Sequence, residues 1–303
     1  MRQPPERDAS TRTKVCTKLL DVLAKGYFEE GVVTNLMPFF SVPKGTHDVR
    51  LVYDGSKSGL NSYLWAPWFP LPTITTLERS LVPGSVMGDL DIGEIFLNFL
   101  LHPRLRPYTG VDLRPFVLAA DLPPDSDGLL RWTRMAMGLR LSPFICVLMF
   151  LLVQESLKKL EQWNSPGNLF RWDQVVMNCP GDPMFDPSMP WLYKWDARNS
   201  YLASDILAYI DDVRGAASGT QASSKMAAII HYVTTHLHFK GVQVALRKWT
   251  VPGMRPGPWA GTISDTSAGV VRRGVSIERW QKCQALTANV VQLVEARGGL
   301  KGR

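Results

Sequence analysis

Apolar residues recur along much of the chain at intervals of three and four, the spacing of one face of a helix. This spacing predicts helices over residues 17–30, over 221–238, and from 277 to about 295. Another helix is predicted to begin at Ser142-Pro143 and to end near residue 160. Serine is a favoured N-cap and proline a favoured first helical residue, so this start is well marked.

Short β-prone runs bounded by turn residues predict the strands. Residues 41–54 are expected to form two extended pieces around a glycine-containing turn, and residues 206–217 a hairpin that turns at Asp211-Asp212. Residues 87–101 are expected to form a strand end that opens into a helix. Further strands are predicted over 116–120, 129–136, 242–246, 259–263 and 269–275. Together with the helices, these strands predict a mixed α+β fold.

Composition narrows the class of protein. The chain has 303 residues, 45% hydrophobic and 20% charged, which excludes a disordered or collagen-like protein. Lysine and arginine number 34 against 27 aspartates and glutamates, and this formal charge of +7 favours polyanionic partners. Residues 164–199 contain five prolines and several tryptophans, and they are expected to form a loop-rich insertion between core elements.

Cysteine spacing and hydropathy give an expectation for the compartment. The four cysteines show no C-x-x-C spacing, so neither a disulfide framework nor a zinc site is indicated. The longest apolar run, residues 144–153, has about half the length that a membrane span needs. We therefore expect an intracellular protein, cytoplasmic or nuclear, that is not secreted and has no membrane partner.

Three carboxylates are the main candidates for chemistry. Asp211 and Asp212 are adjacent at the tip of a β-prone run, where their charges repel each other unless a cation lies between them. Asp91 also follows an apolar strand candidate, and two-metal phosphoryl transfer needs carboxylates that converge from neighbouring strands. The structural alternatives are an exposed Asp-Asp turn for the pair and a helix N-cap for Asp91.

Several ordered blocks of the chain resemble the reverse transcriptases of retroelements. The matching blocks, in the family's order, are Lys44 with Arg50-Leu-Val-Tyr-Asp54, Asp91-Ile-Gly-Glu-Ile-Phe96, Met137-Gly-Leu-Arg-Leu-Ser-Pro143, Tyr209-Ile-Asp-Asp212, Arg247-Lys248 and Trp259-Ala-Gly261. Tyr209-Ile-Asp-Asp212 is similar to the family's signature Tyr-x-Asp-Asp hairpin. The resemblance extends over about residues 38–265.

The resemblance implies an α+β right-hand polymerase with fingers and palm, in which an antiparallel palm sheet packs on helices. The implied divisions are a leader and helix over 1–36, fingers over 37–86 and 110–136, palm over 87–109 and 137–275 with the insertion 164–199, and the start of a thumb or connection over 276–303. Most of the thumb is expected to be missing from this chain, with the thumb and RNase H region encoded downstream.

The family's chemistry implies a role for each carboxylate. Asp91 and Asp211 would bridge two Mg²⁺ ions, or Mn²⁺ as an alternative, with help from Asp212 and the Ile92 carbonyl oxygen. The implied partners are an RNA or DNA template with its primer and deoxynucleoside triphosphates. Lys248 would protonate the departing pyrophosphate, and its alternative is an ordinary surface lysine.

The resemblance also implies substrate-binding residues. Lys44 and Arg50 would bind the triphosphate, and their alternative is a solvated hairpin. Phe96 would block a ribose 2′-hydroxyl, although a core aromatic fits the sequence equally well. Three further residues, Met137, Gly138 and Tyr209, would lie beside the incoming nucleotide.

Two other functions compete with a retroelement polymerase. The chain could be a degenerate or domesticated copy that binds nucleic acid without catalysis. It could also be a palm-type nucleotide cyclase, but Met137–Pro143 and the Lys44/Arg50 hairpin disfavour that alternative because they suit an enzyme that uses a template.

Overall fold

The computed structural model describes residues 2–45, 47–158, 165, 167–246 and 251–297. The helices are α1 (Ala9–Ala24), α2 (Leu60–Tyr63), α3 (Ile74–Glu78), α4 (Ser142–Leu157), α5 (Ala222–Phe239) and α6 (Ile277–Arg297). The first strands are β1 (Phe28–Glu29), β2 (Phe39–Lys44), β3 (Asp48–Tyr53), β4 (Val86–Asp91), β5 (Gly110–Asp112) and β6 (Leu129–Trp132). The later strands are β7 (Gln174–Met177), β8 (Leu192–Asp196), β9 (Tyr201–Leu202), β10 (Asp205–Tyr209), β11 (Asp212–Ala217), β12 (Ile263–Asp265) and β13 (Arg272–Gly274).

The chain divides into two compact units. The first comprises residues 1–70, 93–153 and 239–243, and the second comprises residues 71–92, 154–238 and 244–303. The first unit contains the β2–β3 hairpin and a sheet in the order β1-β6-β5. The second contains the sheets β10-β11-β4, β7-β8-β9 and β12-β13. The strand pairs in all five sheets are antiparallel.

The β10-β11-β4 sheet of the second unit has two different faces. Successive side chains alternate between the faces of a strand, and the registers set Gly215 opposite Gly88. A Cβ atom at Gly88 would overlap the Ile230 side chain of α5, and one at Gly215 would overlap Met226. Helix α5 therefore packs directly on this face, which we call the helix face.

The opposite face of the same sheet packs on a small apolar cluster. Met87 and Ala216 are paired across β4 and β11, and both are buried with Trp259. Leu77 and Leu81, at and just after α3, complete the cluster. This face also contains the polar residues described in the next subsection, and we call it the polar face.

Aromatic side chains form much of the core of the first unit. Phe28 and Tyr53 both meet Trp132 edge-on, with ring centroids 4.5 and 4.9 Å apart. Phe39 lies between Tyr53 and Phe116, at 5.5 and 5.3 Å. Edge-to-face contacts at these distances stabilise aromatic pairs beyond their burial alone. The β2–β3 hairpin is thereby fixed to the β1-β6-β5 sheet.

The mixed α+β prediction is confirmed, and so are several elements. The hairpins at 41–54 and 206–217 form, and helices begin at Ser142 and Ala222 and at Ile277 as predicted. Helix α4 is described to Leu157, and the predicted end near residue 160 lies outside the described residues. None of the helices in the described ranges combines the length and apolar character of a bilayer-spanning segment.

Other elements differ from the prediction. The helix predicted over 17–30 begins earlier, after the N-cap Asp8, and ends before Gly26, whose φ of 67° is a left-handed helix stop. After Asp91 the chain forms a short 3₁₀ helix, Ile95–Asn98, instead of an α-helix, because Glu94 is left-handed with φ of 48°. The predicted insertion at 164–199 contains the β7–β8 hairpin.

The predicted strand at 116–120 is wrong. Phe116 and Val117 both donate to the Leu113 carbonyl, so the segment is a turn in which these two residues are buried without strand pairing, whereas residues 118–120 are exposed. Each of the strands predicted at 242–246 and 259–263 is reduced to a single bridge. Val244 pairs with Ile92, and Trp259 pairs with Thr262 just before β12 begins at Ile263.

Candidate functional site

The Tyr209–Asp212 segment is a tight hairpin turn at one end of the β10-β11-β4 sheet. Tyr209 pairs with Asp212, so Ile210 and Asp211 form a two-residue connection. Ile210 has φ of 59°, a left-handed conformation that is strained for a β-branched residue. Strain of this kind is concentrated at functional sites, where the surrounding structure holds the backbone in place.

Asp91 is brought to the same end of the sheet by strand pairing. The register of β4 with β11 sets Asp91 directly opposite Asp212. The next amide, Ile92 N–H, donates to the Asp211 carbonyl oxygen at 2.9 Å, and the Asp91 carbonyl accepts from Ala245 N–H at 2.9 Å. Asp91 therefore lies at the same sheet end as the adjacent Asp211 and Asp212, and Asp91 is buried whereas the other two are partly exposed.

A buried ion pair lies on the same face as Asp91 and Asp212, two residues away along each strand. Arg214 donates from Nε and Nη2 to both carboxylate oxygens of Asp89, at 2.6 and 2.7 Å. The register pairs these two residues, and period-two alternation places them on the same face as Asp91 and Asp212. The arginine side chain is fully buried. The polar face therefore has a neutralised pair next to the aspartates at its end.

Trp259 supports the turn from the polar face. Its indole Nε1–H donates to the Asp212 carbonyl oxygen at 3.1 Å. The Tyr209 ring lies edge-on at 6.4 Å, and the Arg214 guanidinium lies 5.9 Å from the indole ring. Since Trp259 is almost fully buried, it fixes the backbone of the aspartate pair from within the core.

The donor chemistry of the sheet end fits a hard divalent cation. Mg²⁺ and Mn²⁺ prefer oxygen ligands, and the available donors are carboxylates and backbone carbonyls. Like charges set directly opposite on neighbouring strands are destabilising, and a cation between them relieves that repulsion. Within the part of the chain that the structure describes, no group of three or more His, Cys, Asp or Glu side chains is arranged as a ready metal cluster.

Two predicted phosphate-binding cations lie together on the β2–β3 hairpin of the first unit. Lys44 pairs with Asp48, and Arg50 pairs with Val42, so both cations project from one face of the hairpin. Val49 is buried on the opposite face. Both cations are exposed, and Lys44 Nζ lies 3.7 Å from the Asp48 carboxylate.

Asp48 has a second cationic neighbour. Burial raises the pKa of its carboxyl group, but the Val49 amide and the charges of Lys18 and Lys44 outweigh that effect and lower the pKa. The carboxylate is therefore charged at neutral pH and balances part of the positive charge of the hairpin.

Met137 and Gly138 contact the end of the same hairpin. The Met137 carbonyl accepts from Tyr53 N–H at 3.2 Å, and the Gly138 carbonyl accepts from Asn61 Nδ2 at 2.9 Å. Gly138 has φ of 107°, and a Cβ atom there would overlap the Tyr53 carbonyl oxygen. Close backbone packing therefore requires glycine at this position.

The remaining predicted residues have different surroundings. Phe96 is partly buried in the Ile95–Asn98 3₁₀ helix of the first unit. Tyr209 is exposed at the hairpin turn of the second unit. Lys248, predicted as a proton donor, lies outside the described residues.

The sequence reasoning missed the ion pair and Trp259 as supports of the aspartates. A signal for the pair was present, because Asp89 precedes Asp91 by two and Arg214 follows Asp212 by two. Opposite charges at mirrored positions of two antiparallel strands are expected to meet on one face. Trp259 belongs to a block that the family resemblance includes, but no local pattern gives its contact with Asp212, because that contact depends on the return of a distant loop.

Comparison with solved structures finds similar folds among foamy viral proteins. The protease-reverse transcriptase dRH in complex with ds DNA is 15% identical with a TM-score of 0.61, and the alignment covers 93% of this chain and 38% of that one. The protease-reverse transcriptase in complex with dsDNA is 16% identical with a TM-score of 0.59, covering 94% and 46%. The protease-reverse transcriptase in complex with an RNA/DNA hybrid is 18% identical with a TM-score of 0.57, and the alignment covers 94% of this chain and 30% of that one.

These similarities show a reverse-transcriptase-like fold. The chain spans less than half the length of each of these structures. No protein-family model matches the chain. No curated protein sequence matches it either.

Proposed function

We propose that the chain is a template-directed nucleotidyltransferase of the reverse-transcriptase kind. The observation that carries this proposal is the direct pairing of Asp91 with Asp212 beside the Asp211 turn. Carboxylates converging from neighbouring strands are what a two-metal phosphoryl-transfer site requires. The fold similarity to reverse transcriptases supports the same assignment.

In this proposal Asp91 and Asp211 hold two Mg²⁺ or Mn²⁺ ions, assisted by Asp212 and the Ile92 carbonyl. Bound ions of this kind lower the pKa of a primer 3′-hydroxyl and neutralise charge on the transferred phosphate. The contribution of the protein is to hold the carboxylates at fixed spacing. The Ile92–Asp211 hydrogen bond and the Trp259 bond to Asp212 restrict the backbone to which these carboxylates are attached.

The β2–β3 hairpin supplies the proposed triphosphate contacts, and it would correspond to part of the fingers. Lys44 and Arg50 project from one face, and arginine suits bidentate contact with phosphate. Phe96 is proposed to select deoxyribose. Lys248 is proposed to protonate pyrophosphate, and the β10-β11-β4 sheet would be the core of the palm.

Three further residues are proposed to lie beside the incoming nucleotide. Met137, Gly138 and Tyr209 take this role because of the family resemblance of their sequence blocks. The proposed partner is a primer annealed to an RNA or DNA template, since the similar foamy viral proteins were solved with dsDNA and with an RNA/DNA hybrid.

Asp211→Asn tests this proposal, with Asp182→Asn as the matched control. Asp182 is exposed and lies in the same compact unit. We expect Asp211→Asn to reduce Mg²⁺-dependent primer extension by at least about a thousandfold, because a lost metal ligand costs several kcal/mol and about 1.4 kcal/mol is a factor of ten. The control should extend primers as the unmodified chain does.

Binding of Mn²⁺, followed by electron paramagnetic resonance, provides a second readout. Asp91→Asn and Asp211→Asn should each weaken it, whereas Asp182→Asn should not. Extension that survives Asp211→Asn would contradict the metal role. A chain that binds primer–template but neither binds Mn²⁺ nor extends would favour a noncatalytic nucleic-acid-binding protein.

A further inference from the structure

A cleft of about 680 Å³ opens within the second unit, beside the start of α5. Its wall comes from the turn at Pro83-Gly84, from residues 198–201, and from residues 218–225. Clefts of roughly 300–1,000 Å³ are the size class that accommodates small molecules. Of the proposed catalytic and substrate-binding residues that the structure describes, none lines it.

The charge lining this cleft has one sign. Among the described residues of its wall, Arg198 and Lys225 are the charged ones, and none is an aspartate or glutamate. The first turn of α5 likewise contains no acidic residue. Neutral donors surround the two cations, including Thr220, Gln221 and Asn199. A wall of this composition is suited to an anion.

The Arg198 side chain is held in position by hydrogen bonds to residues outside the cleft lining. Its guanidinium donates to both carboxylate oxygens of buried Asp196, at 3.1 and 3.2 Å, and to the Asn168 carbonyl at 3.2 Å. A fixed guanidinium loses little side-chain freedom when it contacts a ligand, which favours binding. The carboxylate that orients Arg198 is buried outside the cleft lining.

Lys225 differs from Arg198 because its charge is not neutralised by a direct partner. Among the described residues, its ammonium group makes neither a hydrogen bond nor an ion pair, although the side chain is partly buried. Burial lowers the pKa of this ammonium group. The Asp196 carboxylate opposes that effect, and the Arg198 charge reinforces it. The Asp196 carboxylate balances the charge of Arg198, so Lys225 is the cation of this cleft whose charge a bound anion would pair with.

We propose that this cleft binds a small phosphate-bearing anion, of the size of pyrophosphate or a nucleoside phosphate, with phosphate oxygens contacting Lys225 and Arg198. Charge-assisted hydrogen bonds from lysine and arginine are the strong contacts by which proteins hold phosphates. This site goes beyond the proposed polymerase function and does not depend on the carboxylates of the β10-β11-β4 sheet.

The test is calorimetric titration of the whole chain with inorganic pyrophosphate in the presence of EDTA. Without divalent metal the aspartate site repels pyrophosphate, and the difference in binding between the unmodified chain and Lys225→Gln separates the cleft from the Lys44 and Arg50 hairpin. Lys225→Gln should weaken binding by at least about tenfold, since it removes a charge-assisted hydrogen bond to the phosphate. The control Lys282→Gln removes an exposed lysine of α6 and should bind as the unmodified chain does.

A rescue variant and a thermal melt show that any effect comes from lost charge. Lys225→Arg keeps the positive charge and should recover most of the affinity that Lys225→Gln loses. All variants should melt at nearly the same temperature, because Lys225 has no side-chain partner whose loss would destabilise the fold. The proposal is overturned if the unmodified chain does not bind pyrophosphate, or if Lys225→Gln binds it as tightly.

Two further measurements distinguish small-anion binding in the cleft from anion binding at the aspartates and from oligonucleotide binding. Asp211→Asn should bind metal-free pyrophosphate normally, and loss of binding in that variant would place the anion at the aspartates instead. A single-stranded deoxyoligonucleotide should compete weakly. If Lys225→Gln weakens only oligonucleotide binding and leaves pyrophosphate binding intact, the small-anion assignment is wrong.

Discussion

Arg214 is a fully buried charge whose carboxylate partner is only slightly exposed. Its guanidinium also donates to the Gly257 carbonyl at 2.5 Å and lies over Trp259. A buried ion pair contributes little net stability, because desolvation offsets the attraction, but removing one partner leaves the other uncompensated. The pair therefore specifies how the polar face is packed beside the aspartates.

We predict that Arg214→Met destabilises the protein by about 3–5 kcal/mol, because Asp89 then loses its partner. The double variant Arg214→Met with Asp89→Leu should recover much of that loss, since both charges are removed together. Urea unfolding of the two single variants and the double variant measures the coupling. Strictly additive losses would contradict the direct pairing.

Asp205 is a second buried carboxylate, and it contacts two lysines. Lys194 Nζ donates to it at 2.8 Å, and Lys158 binds its other oxygen. Burial raises the pKa of Asp205, but the charges and hydrogen bonds of Lys158 and Lys194 outweigh burial, so the pKa falls below its usual 3.8. The folded protein therefore favours the charged carboxylate more than the unfolded chain does.

This lowered pKa predicts a pH dependence of stability. The unfolded chain binds the proton at a higher pH than the folded chain, so the stabilisation is complete above about pH 4 and is lost as the pH falls through the folded-state pKa. Asp205→Asn should be less stable than the unmodified chain at pH 7. The difference in unfolding free energy should shrink below about pH 4, and a difference independent of pH would contradict the ion-pair explanation.

At the scale of elements, the close packing of α5 on the β10-β11-β4 sheet depends on the Gly88–Gly215 pair. The helix side chains nearest the glycines are Ile230 and Met226. Met226 has a flexible end that can move aside, whereas Ile230 is β-branched and stiff. The two glycines are therefore not equivalent.

We predict that Gly88→Ala destabilises the protein by about 1–3 kcal/mol through overpacking. Adding Ile230→Val should recover part of the loss, because it removes the methyl group nearest the new Cβ. Gly215→Ala should cost less than Gly88→Ala. Thermal unfolding of the four proteins measures this order, and an equal cost at the two glycines would contradict the packing explanation.

Local sequence signals were sufficient for elements whose ends carry strong turn or cap residues. The hairpin over 206–217 and the helix that begins at Ser142 are of this kind, although the hairpin turns at Ile210-Asp211, one residue before the predicted Asp211-Asp212. The signals failed where tertiary contacts decide. Phe116 and Val117 are buried in a turn and not in a strand, and Phe28–Glu29 leave the helical pattern to pair with β6. A buried turn and a buried strand have the same composition, so hydrophobicity could not separate them.

At the scale of the whole molecule, positive charge is in excess, with a formal charge of +7. In the proposed function this excess contributes to binding of the phosphate backbone by releasing counterions. We predict that affinity for a primer–template duplex falls by about tenfold or more between 50 and 200 mM salt. Fluorescence anisotropy measures it, and affinity that does not change with salt would argue against contact with backbone phosphates.

The candidate site was predictable only in part. Acidic residues at the ends of β-prone runs identified Asp91, Asp211 and Asp212, and the structure sets Asp91 opposite Asp212. The mirrored spacing of Asp89 and Arg214 was a usable signal for the ion pair, whereas the Trp259 contact was not predictable because it depends on the return of a distant loop. Gly138 shows the same limit, since its close contact with Tyr53 could be found only once the hairpin position was known.

The two faces of the β10-β11-β4 sheet impose two kinds of evolutionary constraint on neighbouring residues. Along β4, Asp89 and Asp91 point to the polar face, whereas Gly88 and Leu90 point to α5. In the proposed enzyme, selection for chemistry would act on Asp91, and selection for folding would act on Gly88, Asp89 and Leu90. Catalysis and stability could then drift separately within one six-residue strand, so that a lineage could lose its activity and still inherit an intact fold.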